Sequence, residues 1–163
     1  MTIGRPDSAE FIRDWYQVMR KHDRHTGNVA PKGWTKLGSG VSRAAFLEEF
    51  SGVAYKVEHR YNTSWSQSNA DEAETIRRLF LTKLPKGCRF PRYTLWELDG
   101  KPVMAMERFT KLLSDFSIYC REGASYWDRQ RELCSTLDLW DMHGGNIGID
   151  EESGLVVPLD LGA

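Results

Sequence analysis

Cysteine is scarce in this chain of 163 residues and poorly spaced for a structural role. Cys88, Cys120 and Cys134 are odd in number and far apart, with no C-x-x-C pair. That argues against a disulfide framework and against a zinc site, and the expectation is three reduced thiols in a cytosol. The four histidines, His22, His25, His59 and His143, make no ligand array with them. An excess of either charge is also missing. The formal net charge is -1, so there is no basic surplus to attract nucleic acid. No apolar run is long enough to span a bilayer, and the opening "MTIGRPDSAEFIRDW" lacks the apolar core of a signal peptide. Repeats and low-complexity segments are absent. The expected protein is soluble and cytoplasmic, with no membrane or nucleic-acid partner.

What is present is the profile of one globular domain over 1–163, 40% hydrophobic and 28% charged. Asp7 and Glu10 have capping-box spacing, and Phe11, Trp15, Val18 and Met19 follow at helical intervals, which predicts a helix over 8–21. The stretch "WTKLGSGVSRAAFLEEFSGVAYKVEHRY" reads as two or three strands broken at glycines. "SNADEAETIRRLFLTKL" reads as a helix with Ala73, Ile76, Leu79 and Phe80 on one side. "RYTLWEL" and "PVMAMERF" flank Asp99-Gly100, a strong hairpin signal. Residues 111–137 read as mostly helical with a break at Gly123. "NIGID" and "LVVPLDL" close the chain as a hairpin around "EESG". Strands first and helices later indicate an α+β fold.

Three stretches carry residues suited to chemistry. Asn146 and Asp160 should lie side by side on the closing hairpin, and their amide and carboxylate oxygens make a hard site suited to Mg²⁺. Asp141, upstream on the loop opened by Gly144 and Gly145, could accept a proton from an attacking hydroxyl. "LGSG", over 37–40, is a turn whose glycines let backbone N–H groups approach phosphate oxygens. In "VAYKV", Lys56 has the neighbours of a buried strand, and a buried ammonium needs an anionic partner. Glu72 and Glu74 are the candidates. Glu72 shares its helix face with Ile76 and Leu79 and is preferred. Each residue also has a plainer reading: Asp141 and Asn146 as turn residues, Lys56 as a side chain snorkelling from a sheet edge, Glu72 as an acidic helix start.

The order of glycine loop, strand lysine, helix glutamate, hairpin, D-x-H-x-x-N and D-L-G resembles the protein-kinase-like family over about residues 33–163. "LGSGVSRAAF" and "DMHGGNI" look like the serine/threonine protein kinases of T7-like bacteriophages. The D-x-H-x-x-N loop is also similar to that of aminoglycoside phosphotransferases. The resemblance implies a strand-rich N-lobe over 33–106, preceded by an N-terminal helix and loop over 1–32. A hinge and much reduced helical C-lobe would occupy 107–163. It implies ATP and Mg²⁺ as cofactors. Lys56 would hold the α- and β-phosphates and pair with Glu72, and Asp141 would be the catalytic base. Asn146 and Asp160 would ligate the metal, and Gly38, Ser39 and Gly40 would cover the phosphates. Ala45 and Ala54 would roof the adenine. Met106 would stand before the hinge, whose Glu107 and Phe109 would bond adenine through their backbone.

The departures from that pattern are specific. Trp140 replaces the arginine before the base, and His143 stands two positions after it, where it is expected to orient its loop through a hydrogen bond. Arg43 replaces the third glycine of the loop, from where it could itself reach a phosphate. Gly148 stands where the adenine floor usually has a larger apolar side chain. The chain as given stops at Ala163, and the resemblance then lacks an activation segment. The expected activity is phosphoryl transfer to serine or threonine hydroxyls of a host protein. A pseudokinase acting by binding a host protein and a small-molecule phosphotransferase are the competing readings. Apolar residues on the underside of the reduced lobe make a homodimer a hypothesis of the same reading.

Overall fold

The alternation of small, apolar and β-branched residues after Trp34 produces strands. In the computed structural model, which describes residues 30, 32–39, 43–58, 69–98, 101–139 and 142–161, β1 is Trp34–Ser39, β2 is Arg43–Glu48 and β3 is Val53–Glu58. The helix expected over 8–21 lies outside the described residues. Strands β4, Tyr93–Leu98, and β5, Lys101–Glu107, complete an antiparallel sheet of order β1-β2-β3-β5-β4. Leu98 pairs directly with Lys101, and Asp99-Gly100, the expected hairpin turn, lies outside the described residues. Between β2 and β3, Gly52 takes a φ of 67° and its N–H donates to the Glu48 carbonyl at 2.9 Å. A side chain at that φ would be strained.

Period-two geometry sorts the sheet's side chains onto two faces. One face gathers Ala44, Phe46, Tyr55, Val57, Val103 and Ala105 into a buried cluster, with Trp34 edge-on to Tyr55 at 5.5 Å between ring centroids. Burial there pushes the Tyr55 hydroxyl up to about 12, with Glu48 adding to the rise. The other face carries the alternate positions Ala45, Ala54, Lys56, Met104 and Met106.

Helix α1 runs Asn69–Leu79, shorter than the 68–84 pattern predicts. It ends with the Phe80 N–H on the Arg77 carbonyl and the Thr82 N–H on that of Leu79. Pro85 lies ahead and cannot extend a helix. Phe80 therefore leaves the apolar face: it is 70% exposed and stacks on Phe90.

Residues 111–137 also differ from the sequence reading. Lys111–Leu112 is a short strand, β6, followed by a 3₁₀ turn over Leu113–Asp115, and helix α2 runs Arg121–Leu137. Gly123 does not break a helix; it sits in the first turn of one. A Cβ there would lie 2.0 Å from the Ser117 carbonyl oxygen, so glycine is needed for a close approach. The interruption falls before it, where Cys120 caps α2 by accepting the Gly123 N–H at 3.2 Å. The closing hairpin forms as expected: β7, Ile147–Asp150, and β8, Leu155–Pro158, join β6 in a sheet of order β6-β7-β8.

The described residues divide into two compact units. One holds residues up to Ala73 together with Arg92–Arg108; the other holds Glu74–Pro91 together with residues from Phe109 onward. The segment before β4 belongs to the second unit because it docks on β8. The Arg89 N–H donates to the Val156 carbonyl, and the Val156 N–H donates to that of Gly87. Among the described residues no helix is long and apolar enough to cross a membrane.

Candidate functional site

In the first unit the sheet face opposite the apolar cluster holds a buried ionic network. Lys56 Nζ lies 2.8 Å from both carboxylate oxygens of Glu72. Glu72 has no exposed surface, and Lys56 retains 13%. Of the two candidate glutamates, Glu72 takes the lysine, while Glu74 is exposed and pairs with Arg77. The reason is helical phase: Glu72 shares the buried face with Ala73 and Ile76. A second cation reaches the same carboxylate, with Arg43 Nη1 2.6 Å from Glu72 Oε2. This corrects the expectation that Arg43 could reach a phosphate, since its guanidinium is buried against Glu72 and Asn69.

Asn69 ties the network to the backbone. Its Oδ1 accepts from Arg43 at 3.2 Å, and its Nδ2 donates to the carbonyls of Lys56 and Pro102 at 2.8 and 3.0 Å. Its own N–H donates to Glu58 Oε1 at 2.9 Å, so Glu58 caps the first turn of α1. Arg43, Glu58, Asn69 and Glu72 are all buried, and each has at least one polar partner, as burial demands. Sequence reading missed Asn69 and Glu58. Their signal was available: a polar residue at a helix start, and an acid two residues beyond Lys56 on the same strand face.

Around Lys56 the sheet register collects most of the other residues assigned to this half. Ala45 is directly across from Lys56, and Ala54 is across from Met106. Gly38 pairs with Ala45 just after an irregularity in β1, and a Cβ at Gly38 would meet nothing within 4 Å. Space beside Gly38 is therefore open. Ser39 ends β1 opposite Ala44, and Gly40 lies outside the described residues. The Glu107 N–H donates to the Arg92 carbonyl at 3.2 Å, so a ligand could use only the carbonyl of that residue. The Glu107 carboxylate takes the Arg92 backbone N–H at 2.6 Å and its guanidinium at 2.8 Å, which fixes the end of β5.

In the second unit the "HGGN" stretch forms a tight 3₁₀ turn over Gly144–Asn146. His143 Nδ1 accepts the Gly145 N–H at 3.1 Å, so this ring orients its loop. Gly144 is buried because a Cβ there would lie 3.0 Å from both the Ser114 nitrogen and the Trp127 ring. The Asn146 N–H donates to the His143 carbonyl at 2.8 Å, and its carbonyl accepts the Leu159 N–H at 2.7 Å. Asn146 therefore faces Leu159, and Asp160 is the next residue along, one step from the side-by-side placement expected. Both side chains are half-buried. An amide oxygen and a carboxylate on adjacent hairpin positions fit a hard divalent cation such as Mg²⁺, which takes few protein ligands. Among the described residues no group of three or more His, Cys, Asp or Glu is placed to hold a metal. Asp141 lies outside the described residues, as does Trp140.

Phe109 shows what Gly148 does. A Cβ at Gly148 would lie 2.4 Å from Phe109 Cγ, so the phenylalanine ring occupies the space that a larger residue at 148 would fill. The Arg89 guanidinium stands 5.6 Å from the centre of that ring. The cysteines offer no competing chemistry. Burial pushes the Cys88 thiol up to about 11 against an opposing pull from Arg129, and burial raises Cys134 as well. Cys120 is taken up in the α2 cap, and all three are free thiols.

No family model matches the chain, and no curated protein matches it. Among solved structures it is similar to the PknI kinase domain of Mycobacterium tuberculosis, at 17% identity and a TM-score of 0.44 over 83% of this chain. It is also similar to a cysteine-to-alanine mutant of that domain, at 18% identity and a TM-score of 0.39. The chain spans 62% of the length of each.

Proposed function

We propose that this protein is a kinase-like phosphotransferase that binds ATP with Mg²⁺ and transfers the γ-phosphoryl group to a hydroxyl. The observation that carries the reading is the Lys56–Glu72 pair, closed at 2.8 Å and placed on the sheet face that also bears Ala45, Ala54 and Met106. A lysine poised by a buried carboxylate beside a small-residue, apolar surface suits a nucleotide: the ammonium for phosphates, the flat surface for a base. Gly38 leaves room for phosphate oxygens beside that surface. Asn146 and Asp160 would hold Mg²⁺, which supplies charge neutralisation on the phosphates when bound. Asp141 would orient the acceptor hydroxyl and take its proton.

The finer reading is transfer to serine or threonine of a host protein by a phage-type kinase. It rests on "LGSGVSRAAF" and "DMHGGNI" and is part of the same proposal. The test is transfer of labelled phosphate from ATP to the protein itself or to a bacterial lysate. Wild type should label, and Lys56→Met and Asp141→Asn should each fall to background. Equal labelling by wild type and both variants would refute the assignment. A melting scan with Mg·ATP separates binding from transfer, since ligand at 100 times its Kd adds about 2.7 kcal/mol of stability.

A further inference from the structure

Helix α2 opens with "REGASYWDR", in which Arg121, Ser125 and Arg129 recur at i, i+4 and i+8 and so share one face. In the second unit that face lines an open groove of about 960 Å³, together with Lys86, Gly87 and the β7–β8 turn at Gly154. Three cations line the groove, Lys86, Arg121 and Arg129. Glu122 is the one acid among the lining residues, and its Oε1 accepts from the Tyr126 hydroxyl at 3.3 Å.

Arg129 is already set in place. Its Nη1 donates to the Gly154 carbonyl at 2.8 Å, and its guanidinium lies 5.6 Å from the centre of the Tyr126 ring. A Cβ at Gly87 would lie 3.0 Å from Arg129 Nε, so glycine there leaves the guanidinium its place. One carbonyl occupies one donor of the planar fork and leaves the rest for another acceptor. The Lys86 and Arg121 side chains are exposed and have no hydrogen-bond or ion-pair partner among the described residues. The acids of the adjoining turn are turned elsewhere: Asp150 pairs with Arg89, and Glu151 accepts from the Thr110 hydroxyl. Glu152, exposed in the same turn, does not line the groove.

We infer that this groove binds an acidic peptide segment of a partner protein. Charge complementarity selects the sign: three cations face one engaged carboxylate, on a chain whose formal net charge is -1. Size selects a peptide, because the groove has the volume of a whole ligand pocket and far exceeds a lone phosphate or carboxylate. The Tyr126 ring and Leu155 add apolar surface, which suits side chains between spaced carboxylates. Glu122 disfavours a nucleic-acid backbone, whose negative charge is continuous. None of these residues belongs to the nucleotide or metal positions, so binding here stands or falls without ATP.

The test uses the full chain and two dye-labelled peptides in fluorescence anisotropy. One alternates glutamate and serine around a central leucine; the other has lysine for every glutamate. Wild type should bind the acidic peptide and not the basic one, and should weaken about tenfold between about 0.05 and 0.5 M salt. Lys86→Glu with Arg121→Glu should weaken the acidic peptide about tenfold and gain affinity for the basic one. The variant should melt with wild type, since both side chains are exposed and without partners among the described residues. If it melts lower, Lys86→Ser with Arg121→Ser takes its place, and loss of the acidic peptide is the expected result. Equal binding of the acidic peptide by wild type and the variant overturns the site, as does a wild type that binds neither peptide. Unlabelled acidic peptide should compete better than a single-stranded DNA of similar length. The reverse order makes nucleic acid the occupant and overturns the peptide assignment. A wild-type dimer in light scattering that the charge reversal splits makes a second copy the occupant, with the same consequence.

Discussion

The two units fix their candidate residues by opposite means. In the first, charged and polar side chains hold one another: Arg43, Lys56, Glu58, Asn69 and Glu72 form a largely buried set in which each position depends on its partners. In the second, the backbone does the holding. The 3₁₀ turn and the Leu159–Asn146 bond place Asn146 beside Leu159, the residue before Asp160, and the close approaches at Gly144 and Gly148 fix the turn and β7 around them. The first arrangement is sensitive to the loss of a charge and the second to the gain of a carbon.

The largest expected effect breaks the first arrangement. Glu72→Ala leaves two cations buried without their carboxylate and should cost about 3–5 kcal/mol in a urea titration. Adding Arg43→Met should return part of that loss, because the unpaired guanidinium goes with it. Additive losses in the double variant would mean that the two residues do not share a network.

Next in size is the added carbon. Gly123→Ala drives a methyl toward the Ser117 carbonyl, 2.0 Å away, and should cost about 1–3 kcal/mol, because backbone cannot step aside as a side-chain end can. Gly38→Ala is its control. That glycine meets nothing within 4 Å, so stability should stay within about 0.5 kcal/mol of wild type. If Gly38 covers phosphates, Mg·ATP binding should weaken in that variant nonetheless. A Gly38→Ala protein with unchanged affinity would remove the glycine from the site.

Much of the first unit was legible in the sequence because strand alternation and helix phase are local signals. "VAYKV" marks Lys56 as a lysine in a buried strand, and the spacing of Glu72 to Ile76 selects it over Glu74. Asp99-Gly100 marks the hairpin. What escaped reading depends on packing at long range. Nothing near Arg43 shows that its guanidinium turns to a helix 26 residues on to meet Asn69. Phe109 and Gly148 fit as a large and a small residue, a relation visible only once β6 and β7 pair. Gly123 reads as a helix breaker by propensity, but the tertiary contact with Ser117 decides its place. The helix expected over 8–21 and Asp141, the expected base, lie outside the described residues.

The smallest expected effect sets a part-exposed ion pair against the buried one. Asp150 opens the β7–β8 turn. Its carboxyl is held below the usual range first by hydrogen bonding from Ser153 and then by Arg89, whose Nη2 is 3.0 Å away. A carboxylate with a depressed folded-state value contributes stability above its unfolded value, about 3.9, and loses it as pH falls through the folded value. Wild type should therefore exceed Asp150→Asn by about 0.5–1 kcal/mol at neutral pH, with the gap closing in acid. The gap should also narrow in molar salt, because this pair is 23% and 21% exposed and the Debye length falls to about 3 Å. Glu72, with no exposed surface, should keep its contribution under the same salt. Equal salt sensitivity at the two carboxylates would show that water reaches the first network, and the contrast between the units would then be one of degree.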